Sequence, residues 1–216
     1  MMNIKTRSDK IRKILRMTFP NVKTQLKCRN PFELLVATML SAQCTDKQVN
    51  SVTKELFKSL KTPYDFANAS NKTIEELIRP TGFFRNKAKN IKNSSRILIE
   101  KHKGNVPDSL DELIKLPGVG RKTANVVLGS AFGIPGIAVD THVARISKRL
   151  GLTKNIDPVK IEFDLMKIIP KKDWSGFSLQ LVYFGRAVCK ARNPGCDVCP
   201  LTELCDYKSN YSGWLG

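Results

Sequence analysis

The residue types best suited to covalent chemistry lie in the stretch LPGVGRKTANVV, residues 116–127. Lys122 falls in the first turn of a helix that the pattern predicts over 121–131, where the positive end of the helix dipole disfavours a cation. We therefore expect its amine to lose a proton readily. A neutral lysine amine is a nucleophile that forms Schiff bases with sugar carbons, so Lys122 is a candidate nucleophile. The alternative is a surface lysine on a structural helical hairpin.

The sequence before this lysine predicts a tight turn between two helices. Residues 109–112 (SLDE) have the spacing of a capping box that begins a helix, and Pro117 ends that helix. Gly118 and Gly120 then permit a tight reversal with bare backbone, so residues 109–131 are predicted to form a helix, a hairpin and a second helix. Amide groups left bare at a helix N-terminus can hold a phosphate oxygen whatever the base sequence.

A carboxylate follows eighteen residues after Lys122, at Asp140. Asp140 precedes a helical pattern and is a typical N-cap residue. One helix and a short reversal separate it from Lys122, so it can also return to the same cleft and act there. Both roles can hold together, because a cap fixes the position of the carboxylate. We expect His142 to be a structural group in the first turn of that helix rather than a metal ligand.

Four cysteines have the spacing C-x6-C-x2-C-x5-C, namely Cys189, Cys196, Cys199 and Cys205. A disulfide pair is one interpretation, but nothing in the sequence indicates an oxidising compartment. A zinc site is another, although four-thiolate zinc sites usually contain two close C-x2-C pairs. A [4Fe-4S] cluster spreads its four thiolates over separate corners, so the unequal gaps favour a cluster. Cys28 and Cys44 are expected to be unpaired buried thiols.

The composition indicates a polyanionic partner. Lys and Arg number 37 against 19 Asp and Glu, which gives a formal net charge of +18. A protein so basic should bind a polyanion in a salt-dependent manner. No apolar run reaches the roughly 20 residues of a membrane span, and no secretory signal is visible. We therefore expect a cytoplasmic protein.

Residues 79–104 form a strongly basic stretch, with eight Lys or Arg against one acid, Glu100. Gly82, Phe83 and Phe84 lie at its entrance. One interpretation is a solvated helix face beside two buried phenylalanines. An aromatic side chain at a loop tip in a basic field is also how a wedge enters a base stack, and Phe83 is the better candidate for that wedge.

The remaining sequence predicts further helices and no sheet. Segment 8–17 is predicted to be an amphipathic helix. A second, apolar helix is predicted to begin with Asn30 as its N-cap and Pro31 as its first residue. Thr45, Thr62 and Thr73 are predicted to begin three more helices, each followed three residues later by a side chain that can complete a capping box. No stretch alternates with a period of two. A chain of 216 residues suits one large or two small domains.

Four segments together resemble one known family. The hairpin LPGVGRKTANVV, the segment VDTH at 139–142, the segment LSAQCTD at 40–46 and the four-cysteine spacing are similar to those of the endonuclease III family of DNA glycosylases, in the helix-hairpin-helix superfamily. The resemblance runs in order from about residue 5 to residue 208, with no large insertion.

This resemblance implies an all-α, two-lobed helix-hairpin-helix DNA glycosylase fold with a DNA-binding cleft between the lobes. A six-helix barrel would occupy residues 24–134 and contain the hairpin at 109–131. Residues 1–23 with 135–216 would form a discontinuous iron-sulfur cluster domain, with the cluster loop at 189–205.

The resemblance also implies base-excision repair, in which oxidised or saturated pyrimidines such as thymine glycol are released and the strand is cleaved by β-elimination. Lys122 and Asp140 match the nucleophile and the essential aspartate of the family, and Gln43 matches the residue that fills the space left by the flipped nucleotide. Phe83 stands where related enzymes often carry an aliphatic wedge. The expected DNA-binding residues are Gln43, Phe83, Gly118, Val119, Gly120, Arg121 and His142, and the expected ligands of a [4Fe-4S] cluster are Cys189, Cys196, Cys199 and Cys205.

The expected partner is double-stranded DNA that contains damaged pyrimidines or abasic sites, bound by a monomer associated with the nucleoid. Two alternatives come with this expectation. One is a monofunctional mismatch adenine glycosylase, a relative that typically lacks the lysine and carries an additional C-terminal domain, whereas in this chain eleven residues follow Cys205. The other is a non-enzymatic module that binds DNA without cutting it.

Overall fold

The computed structural model describes residues 2–211, and no β-strand occurs among them. The predicted all-α class is therefore confirmed. The chain divides into two compact units. The internal unit is residues 24–134, and the discontinuous unit is residues 1–23 with 135–216, of which residue 1 and residues 212–216 lie outside the described residues.

Helices account for most of residues 2–211. In chain order they are α1 (Ile4–Thr18), α2 (Pro31–Leu40), α3 (Asp46–Ser59), α4 (Pro63–Asn68), α5 (Asn71–Ile78), α6 (Phe84–His102), α7 (Leu110–Leu113), α8 (Arg121–Ala131), α9 (Thr141–Arg149), α10 (Pro158–Ile168), α11 (Trp174–Ala187) and α12 (Asp206–Tyr211). Short 3-10 turns lie at Arg79–Thr81, Lys171–Asp173, Cys196–Val198 and Thr202–Leu204. The internal unit thus contains α2 to α8, and the discontinuous unit contains α1 and α9 to α12.

Helix α2 lies at the centre of the internal unit. Every residue from Phe32 to Leu40 is buried, including Glu33, whose carboxylate accepts hydrogen bonds from the backbone and side chain of Arg29. The apolar side of α6, with Ala88, Ile91 and Leu98, packs into the same core. Burying a large aliphatic side chain of this kind stabilises the fold by about 1.5–3 kcal/mol.

Local capping chemistry explains where most helices of this unit begin. Asn30 accepts a hydrogen bond from the Glu33 amide at 2.9 Å, Thr45 caps α3, and Thr62 with Asp65 forms a complete capping box before α4. These three predicted helix starts are confirmed. The predicted start at Thr73 is wrong, because Ser70 caps α5 by accepting from the Thr73 amide at 3.0 Å.

The first helix of the hairpin differs from its prediction. Helix α7 ends at Leu113 rather than continuing to Pro117, and Ser109 precedes it without forming a side-chain cap within the described residues. Pro117 has no N–H and restricts the residue before it, so the chain tightens into bonds such as Leu116 N–H to Leu113 O at 3.1 Å. The predicted capping box is therefore wrong, while the second helix, α8, spans 121–131 as predicted.

Helix α11 supplies the centre of the discontinuous unit through Phe177, Leu181 and Phe184, each at most 1 % exposed. Helix α1 packs Ile11 and Leu15 into the same core. It is longer at both ends than the predicted helix at 8–17. Within residues 2–211, no helix has the length and apolar character needed to cross a membrane.

Candidate functional site

The turn before α8 has a shape that requires glycine at one position. Gly118 has φ of +79°, in the left-handed region that side chains rarely adopt. A Cβ there would lie 2.8 Å from Nδ2 of Asn90 and 2.9 Å from its Cβ, so α6 approaches the bare backbone closely. Ser94 also holds this turn, since its hydroxyl donates to the Pro117 carbonyl at 2.8 Å.

Gly120 is different, because its conformation is ordinary. Its φ is −91°, and it lies at the N-cap position of α8. Apart from Gly120 and its neighbours in the chain, no described residue has an atom within 4 Å of the place where its Cβ would be. No side chain of the described residues caps α8 there. The backbone at the start of α8 is therefore left open toward an external ligand, at the positive end of a helix.

Lys122 is the second residue of α8, and its side chain is exposed. Arg121 beside it is half-buried. The side chain of Val119 is only 5 % exposed, and its amide donates to the Leu116 carbonyl at 3.0 Å. Val119 thus anchors the turn in the core, and its expected contact with DNA stays a prediction.

Two other predicted DNA-binding residues of the internal unit lie on exposed loop tips. Gln43 follows the end of α2 and has φ of 53°, and Phe83 precedes α6 and has φ of 47°. The Phe83 side chain is 64 % exposed, so it is not one of two buried phenylalanines. Phe84 is half-buried, and the guanidinium of Arg85 lies 5.4 Å from its ring centroid. Phe83 is thus accessible to a ligand, whereas Phe84 packs against the protein.

Asp140 is the N-cap of α9, as predicted. Its Oδ1 accepts hydrogen bonds from the amides of His142 and Val143, both at 2.8 Å. Within the described residues its Oδ2 makes no hydrogen bond. The cap therefore fixes the carboxylate through one oxygen and leaves the second oxygen available for chemistry.

His142 is half-buried in the first turn of α9, and its Nδ1 lies 3.1 Å from Nη2 of Arg145. A Cβ at Gly185 of α11 would lie 2.5 Å from this Nδ1, so Gly185 allows the two helices to pack closely. Burial lowers the pKa of His142, and the positive charges of Arg145 and Arg186 lower it further. The negative charge of Asp140 raises this pKa and opposes the effect of burial. The lowered pKa favours the neutral form of the ring.

The predicted cluster cysteines line a single pocket of the discontinuous unit. This pocket is lined by Cys189, Cys196, Cys199 and Cys205 together with apolar residues that include Ile146, Leu150 and Phe184. No disulfide joins any of the six cysteines, all of which lie within residues 2–211, so the disulfide interpretation does not hold. In that same range no three His, Cys, Asp or Glu side chains converge closely enough to hold a single metal ion.

Arginines of α9 hold the loop that carries these cysteines. Nη1 of Arg149 lies 3.2 Å from the Sγ of Cys189 and donates to the Lys190 carbonyl at 2.8 Å, while Nη2 donates to the Ala191 carbonyl at 3.1 Å. Arg145 donates to the Cys189 carbonyl at 2.8 Å. The start of the loop is thus fixed to α9 by charged donors.

The donor set of this pocket fits an iron–sulfur cluster. Burial raises the pKa of the Cys199 thiol, and hydrogen bonds from Leu201 and Thr202 oppose this. A thiolate in such an apolar site needs a nearby positive charge, which bound iron supplies. Thiolate ligands in a largely apolar pocket, with a hydrogen-bond donor to one sulfur, are typical of iron–sulfur proteins.

Comparison with known proteins identifies the class. Residues 36–171, more than half of the chain, match the HhH-GPD superfamily of base excision DNA repair proteins. Residues 189–205, from the first cluster cysteine to the last, match the iron-sulfur binding domain of endonuclease III.

Individual relatives give the same result. The endonuclease III of Synechocystis is 53% identical over 206 residues, which cover 95% of this chain and 94% of the relative. A solved non-covalent endonuclease III–DNA complex matches with a TM-score of 0.93 at 48% identity, covering 99% of this chain and 100% of that chain. A trapped endonuclease III–DNA covalent intermediate matches equally well, with coverage of 98% and 100%.

The chain belongs to the endonuclease III family, so the predicted resemblance is confirmed. It is a base-excision DNA glycosylase and abasic-site lyase with a [4Fe-4S] cluster as its cofactor. The adenine glycosylase and the non-enzymatic module are not favoured.

The structure distributes the predicted site residues between the two units. Gln43, Phe83, Gly118, Gly120, Arg121 and Lys122 belong to the internal unit, and Asp140, His142 and the four cysteines belong to the discontinuous unit. Sequence reasoning missed the contacts of Arg145 and Arg149, which lie one helical turn apart on α9. That spacing indicates a shared face, but it does not identify the loop that this face holds.

Proposed function

We propose that Lys122 is the nucleophile of this enzyme and that its substrates are oxidised or saturated pyrimidines in double-stranded DNA. The observation that carries this proposal is the position of Lys122. Its exposed amine lies in the first turn of α8, two residues after Gly120, where the backbone is open to a ligand. A nucleophile and a phosphate site are thereby combined in one turn.

The hairpin supplies the phosphate site. The uncapped start of α8 offers a positive helix end, and the absence of a side chain at Gly120 lets a phosphodiester approach the backbone. Arg121 adds positive charge beside it. These contacts fix the register of the strand without reading its bases.

The damaged base must leave the duplex before Lys122 can reach its sugar. Gln43 and Phe83, on exposed tips of the same unit, then occupy the gap in the base stack. A lesion that has lost aromaticity stacks poorly, so its removal from the stack costs less than that of an intact base.

The chemistry follows from one amine and one carboxylate. The free amine of Lys122 attacks C1′ as the bond from C1′ to the base breaks, and the base leaves with a proton. Asp140 stabilises the positive charge that develops on the sugar and assists proton movement. The amine then expels the ring oxygen, which takes up a proton as the sugar ring opens to an iminium at C1′.

The iminium makes the strand-cleavage step possible. It acidifies the C2′ hydrogen, whose removal expels the 3′ phosphate by β-elimination. Water then hydrolyses the imine and releases Lys122 as the free amine. Each bond made to the enzyme is thus broken within the cycle, and no step requires an external oxidant or reductant.

The four cysteines are proposed as the cluster ligands. These four thiolates would hold the cluster, and the bound cluster would fix the shape of residues 189–205. Lys190 and Arg192 of this loop are exposed and basic, so a fixed loop presents positive charge to a phosphate backbone.

The wider assignments are proposals as well. We propose that the internal unit is the six-helix barrel lobe, that the discontinuous unit is the iron–sulfur lobe, and that the protein acts as a monomer in the cytoplasm on nucleoid DNA. Analytical ultracentrifugation tests the monomer, and fluorescence microscopy of a tagged chain tests the location.

A duplex with a single thymine glycol tests the proposed substrate and activity. We expect release of the modified base together with a nick at its position, and no reaction on an undamaged duplex. A matched duplex with adenine opposite 8-oxoguanine serves as the control for the adenine glycosylase alternative. Binding of the damaged duplex without base release or nicking would contradict the proposal.

A further inference from the structure

Lys87 is a buried lysine. It lies in the basic stretch at 79–104, whose charge pattern would suggest an exposed side chain. Only 7 % of Lys87 is exposed. In the described part of the chain it forms no ion pair with a carboxylate. A buried ammonium without a counter-charge is costly, so its surroundings must favour it in another way.

Two backbone carbonyls accept the ammonium of Lys87. Its Nζ donates to the carbonyl of Leu40 and to that of Thr81, each at 2.8 Å. Leu40 is the last residue of α2, where the helix dipole favours a cation. Thr81 is the last residue of the 3-10 turn before α6. One ammonium therefore ties together two segments that lie far apart in the chain.

Each carbonyl lies just before one of the exposed loop tips. Gln43 follows Leu40 by three residues, and Phe83 follows Thr81 by two. Both tips have left-handed backbone, with φ of 53° and 47°. Side chains rarely adopt this conformation, and it persists only where the surrounding structure holds it.

Burial disfavours the charged form of Lys87 and lowers its pKa, so other interactions must hold the ammonium. The charged form is thus held in place by hydrogen bonds to carbonyl dipoles. Charge-assisted bonds of this kind are shorter and stronger than neutral ones. A shift of either loop weakens a bond of the same ammonium and so disturbs the other loop.

We propose that Lys87 is a positioning residue for base flipping, which holds the Gln43 loop and the Phe83 loop in one fixed arrangement. The inference rests on the proposed function, because it takes these two side chains as the ones that fill the gap left by the flipped nucleotide. Lys87 itself does not touch the DNA.

A charge-matched pair of variants tests this inference. Lys87→Met keeps the length of the side chain and removes the donor. Lys92→Met is the control, since Lys92 lies on the same helix and its Nζ donates to the carbonyl of Ala69 at 2.6 Å, away from both loops. Each variant loses one positive charge and one donor to the backbone. Far-ultraviolet circular dichroism and thermal unfolding show whether both remain folded.

Two substrates separate flipping from chemistry. Single-turnover release of thymine glycol from a paired duplex requires the base to leave the stack, whereas β-elimination at a preformed abasic site has no base pair to break. We expect Lys87→Met to slow base release roughly 10- to 100-fold, as a misplaced side chain does. We expect its abasic-site cleavage, and both rates of Lys92→Met, to stay within about twofold of the unmodified enzyme.

Equal losses on the two substrates, or no loss on either, would overturn the inference, as would the same selective loss in Lys92→Met. If Lys87→Met does not fold, Lys87→Gln, which keeps an amide donor, is compared in the unmodified protein and in the Gln43→Ala/Phe83→Ala background. Its effect should disappear in that background, and an additive effect contradicts coupling through the loops. Failure of the unmodified enzyme to release the base or cleave the abasic strand overturns the proposed function instead.

Discussion

Asp140 has two proposed roles, a helix cap and a catalytic carboxylate, and one pair of substitutions separates them. Asp140→Asn keeps an oxygen at Oδ1 that can accept from the amides of His142 and Val143, now at 2.8 Å. It removes the negative charge. Asp140→Ala removes both the acceptor and the charge.

The structure sets the expected magnitudes. Asn caps helices about as well as Asp, so Asp140→Asn loses only the interaction of the charge with the helix dipole, about 0.3–1 kcal/mol. Asp140→Ala also loses the cap, which should lower the free energy of unfolding by about 0.5–2 kcal/mol. If the carboxylate stabilises positive charge on the sugar, either substitution should slow base release by roughly 10²- to 10³-fold, by analogy with the loss of one electrostatic group in an active site.

The assay combines urea unfolding with single-turnover base release for both variants. We expect Asp140→Asn to be nearly as stable as the unmodified protein but severely slowed, and Asp140→Ala to be slowed and destabilised. Near-normal base release by a folded Asp140→Asn would refute the catalytic role. Equal destabilisation by the two variants would refute the capping role.

Two further predictions concern the hairpin and the cluster. Gly118→Ala should lower the free energy of unfolding by about 1–3 kcal/mol, because the φ of this residue is +79° and a Cβ there would contact Asn90. Gly120→Ala should lower the free energy of unfolding by less than about 1 kcal/mol but should still weaken DNA binding in a titration. Unchanged affinity of Gly120→Ala for DNA would contradict the phosphate site. Cys199→Ser should reduce both the iron content, from about four irons per chain, and the absorption near 400 nm, whereas Cys28→Ser should change neither. Full iron content in Cys199→Ser would contradict the assignment of the cluster ligands. Stoichiometric zinc in protein purified without air would contradict it as well.

The sequence predicted features that depend on a few neighbouring residues. The caps at Asn30 and Asp140 are of this kind, because each bond joins a side chain to an amide two or three residues away. The glycine at 118 is another, since the turn that ends at α8 requires its backbone conformation. The span of α8, and with it the position of Lys122 in the first turn, also followed from local pattern.

Features that depend on distant partners were missed or wrong. One interpretation of residues 79–104 was a solvated helix face, but Lys87 is buried. Lys87 lies four residues before Ile91, and this helical spacing indicates that it shares the buried side of α6. The sequence did not show that the amide and side chain of Val119 hold the turn and the core. The bonds of Arg149 to the cluster loop span about forty residues and could not be read from spacing alone.

The most direct test of the proposed chemistry is the site of covalent attachment. Enzyme and a thymine glycol duplex are mixed with borohydride, which reduces an imine to a stable amine, and the digested adduct is sequenced by mass spectrometry. We predict one deoxyribose adduct, on the side chain of Lys122, and none with Lys122→Gln. An adduct on another residue, or base release and nicking without any adduct, would contradict the assignment of Lys122 as the nucleophile.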